Sequence, residues 1–320
     1  MLKILRAGVP GFEEIDADVP GWRLPDDTVW IELIEPTRAE ELAVERQVGV
    51  SIPTREEMAE IEASSRLYQE GGATFMTATV LYASDAEVPM LGPITFVLVG
   101  ERLVTVRYME PRSFRLFSEQ AEKQPALCPT GPHTFLNLLD AVVDRTADIL
   151  EKTAADLEAC SRTVFARRRE GGFEPVLRDL GRAQMVNAKA RDSLVSLSRL
   201  ISFAALAPQI EKDAEARGHL KSLARDVASL TDYGSYLAGN VGFSLDAALG
   251  LINIEQNAII KIFSVAAVAF LPPTLIASIY GMNFEHMPEL DWRLGYPMAL
   301  GLMVLSAVVP LWWFKQRGWL

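Results

Sequence analysis

Cysteine and histidine are scarce in this chain of 320 residues, and their scarcity excludes several kinds of site. The two cysteines, Cys128 and Cys160, have neither the spacing of a metal site nor that of a disulfide framework. A reduced compartment is therefore expected for the region that carries them. The three histidines, His133, His219 and His286, lie far apart in the sequence.

Motifs of energy coupling and catalysis are missing too. The chain has no phosphate loop, no glycine-rich dinucleotide turn and no nucleophile elbow. The sequence therefore predicts a protein that is not an enzyme, uses no ATP and carries no organic cofactor. The N-terminus lacks a long apolar core, so no cleavable signal peptide is expected.

An excess of positive charge is also lacking. The chain has 42 acidic and 31 basic residues, and three of each lie beyond residue 261, so residues 1–261 carry a net charge of −11. This balance argues against nucleic acid or an anionic lipid surface as the partner of that region. It suits a domain that meets cations.

Two stretches near the C-terminus have no charged residue at all, Ile262–Phe284 and Leu294–Phe314. At about 1.5 Å per residue, each is long enough to cross a hydrocarbon core of roughly 30 Å as a helix. The sequence therefore predicts a membrane hairpin at 262–320, with spans at about 262–282 and 295–314.

The charges that flank these stretches predict their orientation. Lys261 precedes the first span, Lys315 and Arg317 follow the second, and the connecting loop is acidic. By the positive-inside rule, both termini are cytoplasmic and the loop is outside. We therefore expect a multi-pass protein of the lipid bilayer.

Residues 1–132 alternate between strand and helix signals and predict a cytoplasmic α/β domain. Two capping boxes, Thr37 with Glu40 and Thr54 with Glu57, predict helix starts, and Ser113–Lys123 reads as a short helix. The predicted strands are β-branched and aromatic runs at Thr28–Ile34, Phe75–Tyr82, Ile94–Val99 and Leu103–Tyr108.

Strand signals disappear from residue 133 onward, so 133–261 is predicted as a helical stalk region. Helices are expected at Phe135–Arg169, ended by Gly171-Gly172, and from Pro175 to about Ala207. Gln209–Met282 is predicted to be one long helix that runs into the membrane. Such a helix needs lateral neighbours, which predicts an oligomer.

One face of the first span mixes polar and apolar residues at three- and four-residue spacing. Its members are Asn257, Ile260, Phe263, Ala267, Leu271, Thr274 and Ser278. Two spans cannot enclose a water path, so a pore along this face needs several chains. Alternatively, the Ser and Thr hydroxyls bond to their own helix. Pro272-Pro273 is expected to bend the span.

Beyond this face, Tyr280-Gly281-Met282-Asn283 precedes the acidic segment Phe284–Leu290. This arrangement resembles the signature of the CorA magnesium-transport family. Ile252–Thr274 and the stretch Ile61–Arg66 resemble the enterobacterial type of that family.

The resemblance implies a homopentameric funnel in a bacterial inner membrane, with the first span lining the pore and Mg²⁺ as both transported and regulatory ion. Carried over to this sequence, the outer mouth is Tyr280, Gly281, Met282 and Asn283, and the pore-lining residues are Asn257, Ile260, Phe263, Leu271 and Thr274. Leu271 stands where the family has a methionine constriction. Glu285 and Glu289 of the loop are expected to attract cations, and Asp226, Asp232 and Asp246 are candidates for regulatory metal sites.

Mg²⁺ gives up its water reluctantly, and the predicted face offers amide and hydroxyl oxygens but no carboxylate between Lys261 and Phe284. The expected function is passive, potential-driven influx of hydrated Mg²⁺, with Co²⁺ as a further permeant ion, gated by cytoplasmic Mg²⁺. Two alternatives stay open at this stage. The ion is Co²⁺, Ni²⁺ or Zn²⁺ instead, or the chain is a membrane-tethered cation sensor without a pore.

Overall fold

The computed structural model describes residues 1–17, 19, 22–60, 62–166, 172–283, 287–289 and 291–318. Tertiary contacts divide the chain into two compact units, Met1–Leu245 and Asp246–Leu320. The boundary falls inside one long helix, so the backbone helix is uninterrupted from one unit to the next. The predicted three-part division, 1–132, 133–261 and 262–320, stays a prediction.

A seven-stranded sheet lies at the centre of the first unit. Its strands are β1 (Leu2–Arg6), β2 (Glu13–Ile15), β3 (Thr28–Ile34), β4 (Leu67–Glu70), β5 (Ala73–Tyr82), β6 (Met90–Val99) and β7 (Arg102–Arg107). The strand order is β2-β1-β3-β7-β6-β5-β4. The β3 and β7 strands run parallel, and the other neighbouring strands are antiparallel.

Helices cover the sheet and continue the chain beyond it. They are α1 (Arg38–Val48), α2 (Arg55–Ala59), α3 (Ala63–Arg66), α4 (Arg112–Lys123), α5 (Gly131–Val164), α6 (Glu174–Ala204), α7 (Pro208–Glu211), α8 (Ala214–Tyr280) and α9 (Gly295–Gln316). A short 3₁₀ turn occupies Pro125–Leu127. The predicted α/β domain, long helix and apolar C-terminal helices are thus all present.

Alternating side chains of the sheet build a core on both of its faces. Ile31 and Leu33 of β3 belong to a buried cluster with Val44 of α1 and Met58 of α2. Trp30 points to the opposite face, where its ring lies 5.7 Å from that of Phe117 in α4. The sheet is therefore a middle layer between helices, and the hydrophobic residues of β3 are buried on both sides.

A buried ion pair joins β3 to β7. The Arg107 guanidinium donates to Glu32 at 3.0 Å, and both side chains are nearly inaccessible to solvent. Arg107 also donates to the Met109 carbonyl at 2.8 Å and to Glu110 at 2.5 Å. Burial raises the pKa of Glu32 in spite of the neighbouring Arg107 charge. These partners satisfy a charge that would otherwise be costly to bury.

Both predicted capping boxes are confirmed. Thr37 and Glu40 cap α1 reciprocally, and Thr54 and Glu57 do the same for α2. In each pair the threonine hydroxyl accepts from the glutamate backbone N–H, and the glutamate carboxylate accepts from the threonine backbone N–H at 2.8 Å.

The long helix starts later than predicted, at Ala214 and not at Gln209. Pro208–Glu211 forms a separate helical turn. Asp213 then caps α8, since its Oδ1 accepts from the backbone N–H groups of Glu215 at 2.9 Å and Ala216 at 3.2 Å. The helix ends at Tyr280, two residues before the predicted end.

The helix predictions before α8 are confirmed with shifted ends. The first, α5, begins at Gly131 and ends at Val164, because Thr130 supplies its N-terminal cap earlier than expected. Arg169 and Gly171, the predicted end, lie outside the described residues. The next helix, α6, ends at Ala204, three residues before the predicted position.

Two histidine–aspartate pairs tie α5 to the beginning of α8. His133 Nε2 lies 3.6 Å from Asp213 Oδ2, and His219 Nε2 contacts Asp140 Oδ2 directly. Asp140 belongs to α5 and Asp213 is the cap of α8, so each helix contributes an acceptor to a histidine of the other. The N-terminal turns of α8 are thus held against α5 by two side-chain contacts.

Both cysteines are free and buried. Burial raises the pKa of the Cys128 thiol to about 11, and burial also raises the pKa of Cys160. Both side chains therefore stay in the thiol form near neutral pH.

Candidate ion pathway along the first apolar span

Two helices of the described chain are long and apolar enough to span a membrane, α8 through its C-terminal part and α9. Only 6% of the apolar window in α8 and 11% of that in α9 is buried. A core helix of a water-soluble protein would bury most of such a surface. The exposure therefore favours lipid or further protein chains as the surroundings of both helices.

The predicted pore face of α8 is uncovered in the single chain, and so is much of the rest of the span. All seven of its residues are exposed, and the Ile260, Phe263 and Leu271 side chains are among the largest exposed apolar groups. Off this face, Ile262, Phe270 and Leu275 are equally exposed, and the buried or half-buried positions include Val265, Val268, Ala269, Pro272 and Ile276. The polar members at 257, 274 and 278 distinguish the exposed side from an ordinary lipid-facing surface.

Thr274 bonds to its own helix, as the alternative interpretation of its hydroxyl predicted. Its Oγ1 donates to the Phe270 carbonyl at 2.7 Å. This bond uses the hydroxyl hydrogen and leaves the lone pairs of the oxygen available. Thr274 is therefore set to accept hydrogen bonds from water on an exposed face.

Pro272 and Pro273 lie inside the continuous α8 helix. Since proline has no N–H, the carbonyls four residues earlier lose their usual helical donors. The predicted bend at this point stays a prediction.

The C-terminal end of α8 presents backbone carbonyls beside Gly281, Met282 and Asn283. The Gly281 N–H donates to the Ala277 carbonyl at 2.9 Å, and the Met282 N–H donates to the Ile279 carbonyl at 3.3 Å. Met282 and Asn283 follow the helix and are exposed. The C-terminus of a helix carries a partial negative charge, which favours a cation at this position.

Gly281 keeps this helix end compact. A Cβ atom at this position would lie 3.0 Å from the Ala277 carbonyl oxygen and 3.7 Å from that of Ser278. The first contact is tighter than most real Cβ contacts. A side chain at 281 would therefore require a small shift of the Ala277 carbonyl at the end of α8.

The acidic loop is described in part. Glu289 and Asp291 are exposed, whereas Glu285 lies outside the described residues. The Glu289 carbonyl packs directly against Gly295, the buried first residue of α9, and leaves no room for a Cβ there. Gly295 was not predicted as a site residue, although a glycine just before a span is a signal for such a close approach.

The three regulatory candidates are exposed on α8, but the single chain does not bring them together. No group of three acidic, histidine or cysteine residues suited to a metal forms within the described part of the chain. Asp226 instead lies near an acidic row of α5. Burial raises the pKa of Asp144, and the charges of Asp140, Asp148 and Asp226 raise it further. The four-residue spacing of that row was a readable signal.

This fold and this helix face define a membrane protein with an α/β domain, a long helix that becomes the first span, and a polar signature at the end of that span. The chain belongs to the CorA-like Mg²⁺ transporter family, whose profile matches residues 25–316. Mg²⁺ is the ion that this family transports, and its members are membrane transporters and not enzymes.

Relatives with established names support this membership over nearly the whole chain. The chain is 36% identical over 295 residues to the magnesium transport protein CorA of Pasteurella multocida, covering 92% of this chain and 93% of the relative. It is 36% identical over 309 residues to that of Sodalis glossinidius, covering 96% of both.

A solved structure has the same fold. The CorA magnesium transporter of Methanocaldococcus jannaschii matches with a TM-score of 0.78 and 18% sequence identity, covering 100% of this chain and 99% of the other. Its soluble domain alone matches with a TM-score of 0.64 over 78% of this chain. The predicted combination of α/β domain, long helix and two C-terminal apolar helices is thereby confirmed.

Proposed function

We propose that five copies of this chain form a passive Mg²⁺ channel, with the exposed face of α8 lining the pore. The observation that carries the proposal is that the seven predicted pore residues are all uncovered and lead to Tyr280-Gly281-Met282-Asn283. Two spans per chain cannot enclose water, so the pathway needs several subunits around an axis. The family resemblance gives the number five.

The ion passes in hydrated form. Mg²⁺ holds its water tightly, and stripping that water would require a rich set of carboxylates in its place. Thr274 offers lone pairs, and Asn257 and Asn283 offer amide oxygens, all of which accept hydrogen bonds from bound water. Five Asn283 carboxamides and the carbonyls at the end of α8 form the outer ring. The acidic loop raises the local cation concentration.

The membrane potential supplies the driving force. A divalent cation that enters at about −150 mV gains roughly 7 kcal/mol, because one charge gains about 2.3 kcal/mol per 100 mV. At about 1.4 kcal/mol per decade, this supports a ratio of roughly 10⁵ across the membrane. No chemical energy source is needed, and the protein has to limit the influx.

Cytoplasmic Mg²⁺ provides that limit by binding between subunits and holding the pore shut. Exposed carboxylates of α8, Asp226, Asp232 and Asp246, are the candidate ligands. Since they do not meet in one chain, a complete site needs a neighbouring subunit. Both termini face the cytoplasm of a bacterial cell, and the hairpin crosses the inner membrane.

Flux measurements test the proposal. Purified full-length protein is placed in liposomes with an internal Mg²⁺ indicator, and a potassium diffusion potential is imposed. We expect Mg²⁺ influx that grows with the inside-negative potential, and slower influx of Co²⁺. Preference for Ni²⁺ or Zn²⁺ would support another physiological ion, and no flux above protein-free liposomes would support a sensor without a pore.

A further inference from the structure

A cavity of about 280 Å³ lies between α6 and the β4–β5–β6 part of the sheet, far in sequence from the spans. Arg66 at the end of α3 and Arg199 of α6 both line it. Thr79, Ser196 and Asp192 contribute the other polar side chains that matter here. The volume is that of a site for a small molecule or ion.

Among the described residues, neither arginine of this cavity forms an ion pair with a carboxylate, although Asp192 also lines it. Arg66 donates to Thr79 Oγ1 at 3.0 Å and to the Glu60 carbonyl, both uncharged acceptors. Burial and the nearby Arg199 charge lower the pKa of Arg66. A half-buried guanidinium beside a second one is electrostatically unfavourable, and an anion between them would relieve the repulsion.

The hydroxyl groups that line the cavity offer a ligand mainly hydrogen-bond donors, because their acceptor positions are already in use. Ser196 Oγ accepts from the Thr79 backbone N–H at 2.8 Å, so its own hydrogen remains to be donated. Thr79 Oγ1 is already engaged as the acceptor for Arg66. Two guanidinium groups and one hydroxyl therefore favour a ligand with several acceptor oxygens.

Asp192 narrows the choice of anion. Its carboxylate lines the same cavity and would repel an oxyanion that carries no hydrogen. Inorganic phosphate keeps at least one P–OH group at neutral pH and can donate it to the carboxylate. Sulfate has no such hydrogen, and phosphate monoesters lose theirs with a pKa near 6.

We propose that this cavity binds inorganic phosphate, with Arg66, Arg199 and Ser196 as donors and Asp192 as acceptor of the P–OH hydrogen. The proposal is independent of the ion pathway. It also gives a role to Arg66, the last residue of a stretch that the sequence analysis noted and the proposed pore does not use. The register of β4 on β5, with Leu67 opposite Met76, brings the Arg66 backbone to the level of Thr77, and from there its guanidinium reaches Thr79.

Calorimetric titration of the full-length protein in detergent tests this site. Phosphate is added in buffer containing EDTA, so that magnesium phosphate does not interfere. We expect saturable binding, and about tenfold or weaker affinity in Arg199→Gln, because a charge-assisted hydrogen bond is lost. Arg199 is exposed, so this variant should fold. Arg178→Gln, the same change at a residue of α6 outside the cavity, should bind like wild type.

Two results would overturn the proposal: absence of phosphate binding in the wild type, or equal weakening in Arg178→Gln and Arg199→Gln.

Selectivity supplies the second test. The wild type should bind phosphate more tightly than sulfate or glycerol 3-phosphate at pH 7.5, and Asp192→Asn should lose this preference, since an amide can donate to an unprotonated oxyanion. Equal affinity of the wild type for all three would show a general oxyanion site and refute phosphate as its ligand. Tighter binding of glycerol 3-phosphate would point to a phosphate ester and would equally refute it.

Discussion

A single exposed carboxamide, that of Asn283, belongs to the proposed outer ring. Asn283 follows the last turn of α8, where Gly281 lets the chain turn without displacing the helix carbonyls. In a pentamer this side chain would appear five times around one axis. Its contribution to Mg²⁺ entry can therefore be measured with one substitution.

Asn283→Ala should abolish Mg²⁺ influx into liposomes while the oligomer stays intact. The change removes the amide oxygens that hold the waters of the ion, but it leaves the helices unchanged. Influx and size-exclusion profile are measured together. Asn240→Ala, the same change elsewhere on α8, is the control. Near-normal flux through Asn283→Ala would show that the hydrated-ion ring is placed wrongly.

Leu271 is proposed as part of a dry constriction, since it is 66% exposed on the same face as Thr274. Leu271→Asn should keep this ring wet and raise the leak at high internal Mg²⁺, because a closed hydrophobic gate excludes ions by dewetting. Leu271→Ala should have a smaller effect. Dye-reported influx at matched expression is the measurement.

Leu305→Asn in α9 is the control for that experiment, since Leu305 is 62% exposed and lies on the span placed outside the pore. If the leak at high internal Mg²⁺ is equally small in Leu271→Asn and Leu305→Asn, Leu271 does not face the pore, and a different side of α8 must line it.

Arg107 neutralises Glu32 in the interior of the sheet. Arg107→Met should lower stability by about 3–5 kcal/mol, since it leaves a buried carboxylate unpaired. Replacing both residues with leucine should recover much of this loss. Thermal unfolding of the full-length protein in detergent measures each variant. A double variant as unstable as Arg107→Met would show that packing, and not charge, causes the loss.

The pH dependence of Arg107→Met follows from Glu32, whose pKa burial raises already in the wild type. In the folded variant the unpaired carboxyl holds its proton to a higher pH than in the unfolded chain. The loss of stability in Arg107→Met should therefore be smallest below about pH 4.3, the pKa of a glutamate in the unfolded chain. It should grow as the pH rises through the pKa of Glu32 in the folded variant. An equal defect at pH 4.5 and pH 7.5 would contradict this account.

At the scale of elements, the beginning of α8 depends on Asp213. Asp213→Ala should cost about 1 kcal/mol and reduce protection of the first α8 amides from hydrogen exchange, because the cap is lost. Asp213→Asn keeps an acceptor oxygen and should retain the protection, although its pairing with His133 loses the charge. If both variants exchange alike, the ion pair matters more than the cap.

Elements with strong local signals were predictable from the sequence. The strand Thr28–Ile34 and both capping boxes were found, because β-branched runs and Thr-x-x-Glu spacing act locally. The strands β1, β2 and β4 were missed. Of these, β2 and β4 are short, mostly polar and lie at the two edges of the sheet, where partner strands and not their own sequence determine them. The inner strand β1 has only five residues, two of them charged, so its local signal is weak.

For the candidate pathway, the positions of residues along the helix could be predicted from the sequence, but their contacts could not. Helical spacing placed the residues from Asn257 to Ser278 on one side of α8, and all seven are exposed, but the role of this side as a pore face stays a prediction. It could not reveal the bond from Thr274 to Phe270 or the contact of Glu289 with Gly295, since both depend on coordinates. The acidic row near Asp226 depends on α5 meeting α8, a contact between residues about 80 positions apart.

At the scale of the whole molecule, residues 1–261 carry a net charge of −11 that bound Mg²⁺ would partly neutralise. Millimolar internal Mg²⁺ should therefore protect α8 from protease and close the pore, and EDTA should reverse both effects. Limited digestion and flux are compared in Mg²⁺ and in NaCl of equal ionic strength. Identical digestion patterns together with unaffected flux would rule out the regulatory sites.

The buried cysteines make the native chain a suitable background for chemical labelling. Cys128, with a thiol pKa of about 11, and Cys160 should react slowly with a thiosulfonate reagent, since the thiolate is the reactive form. A cysteine introduced at one position of α8 would then be the only fast-reacting thiol, so the rate of modification would describe the surroundings of that position. A charged reagent reaches pore water but not lipid, so modification repeating every three to four residues would trace the water-lined side of the span directly.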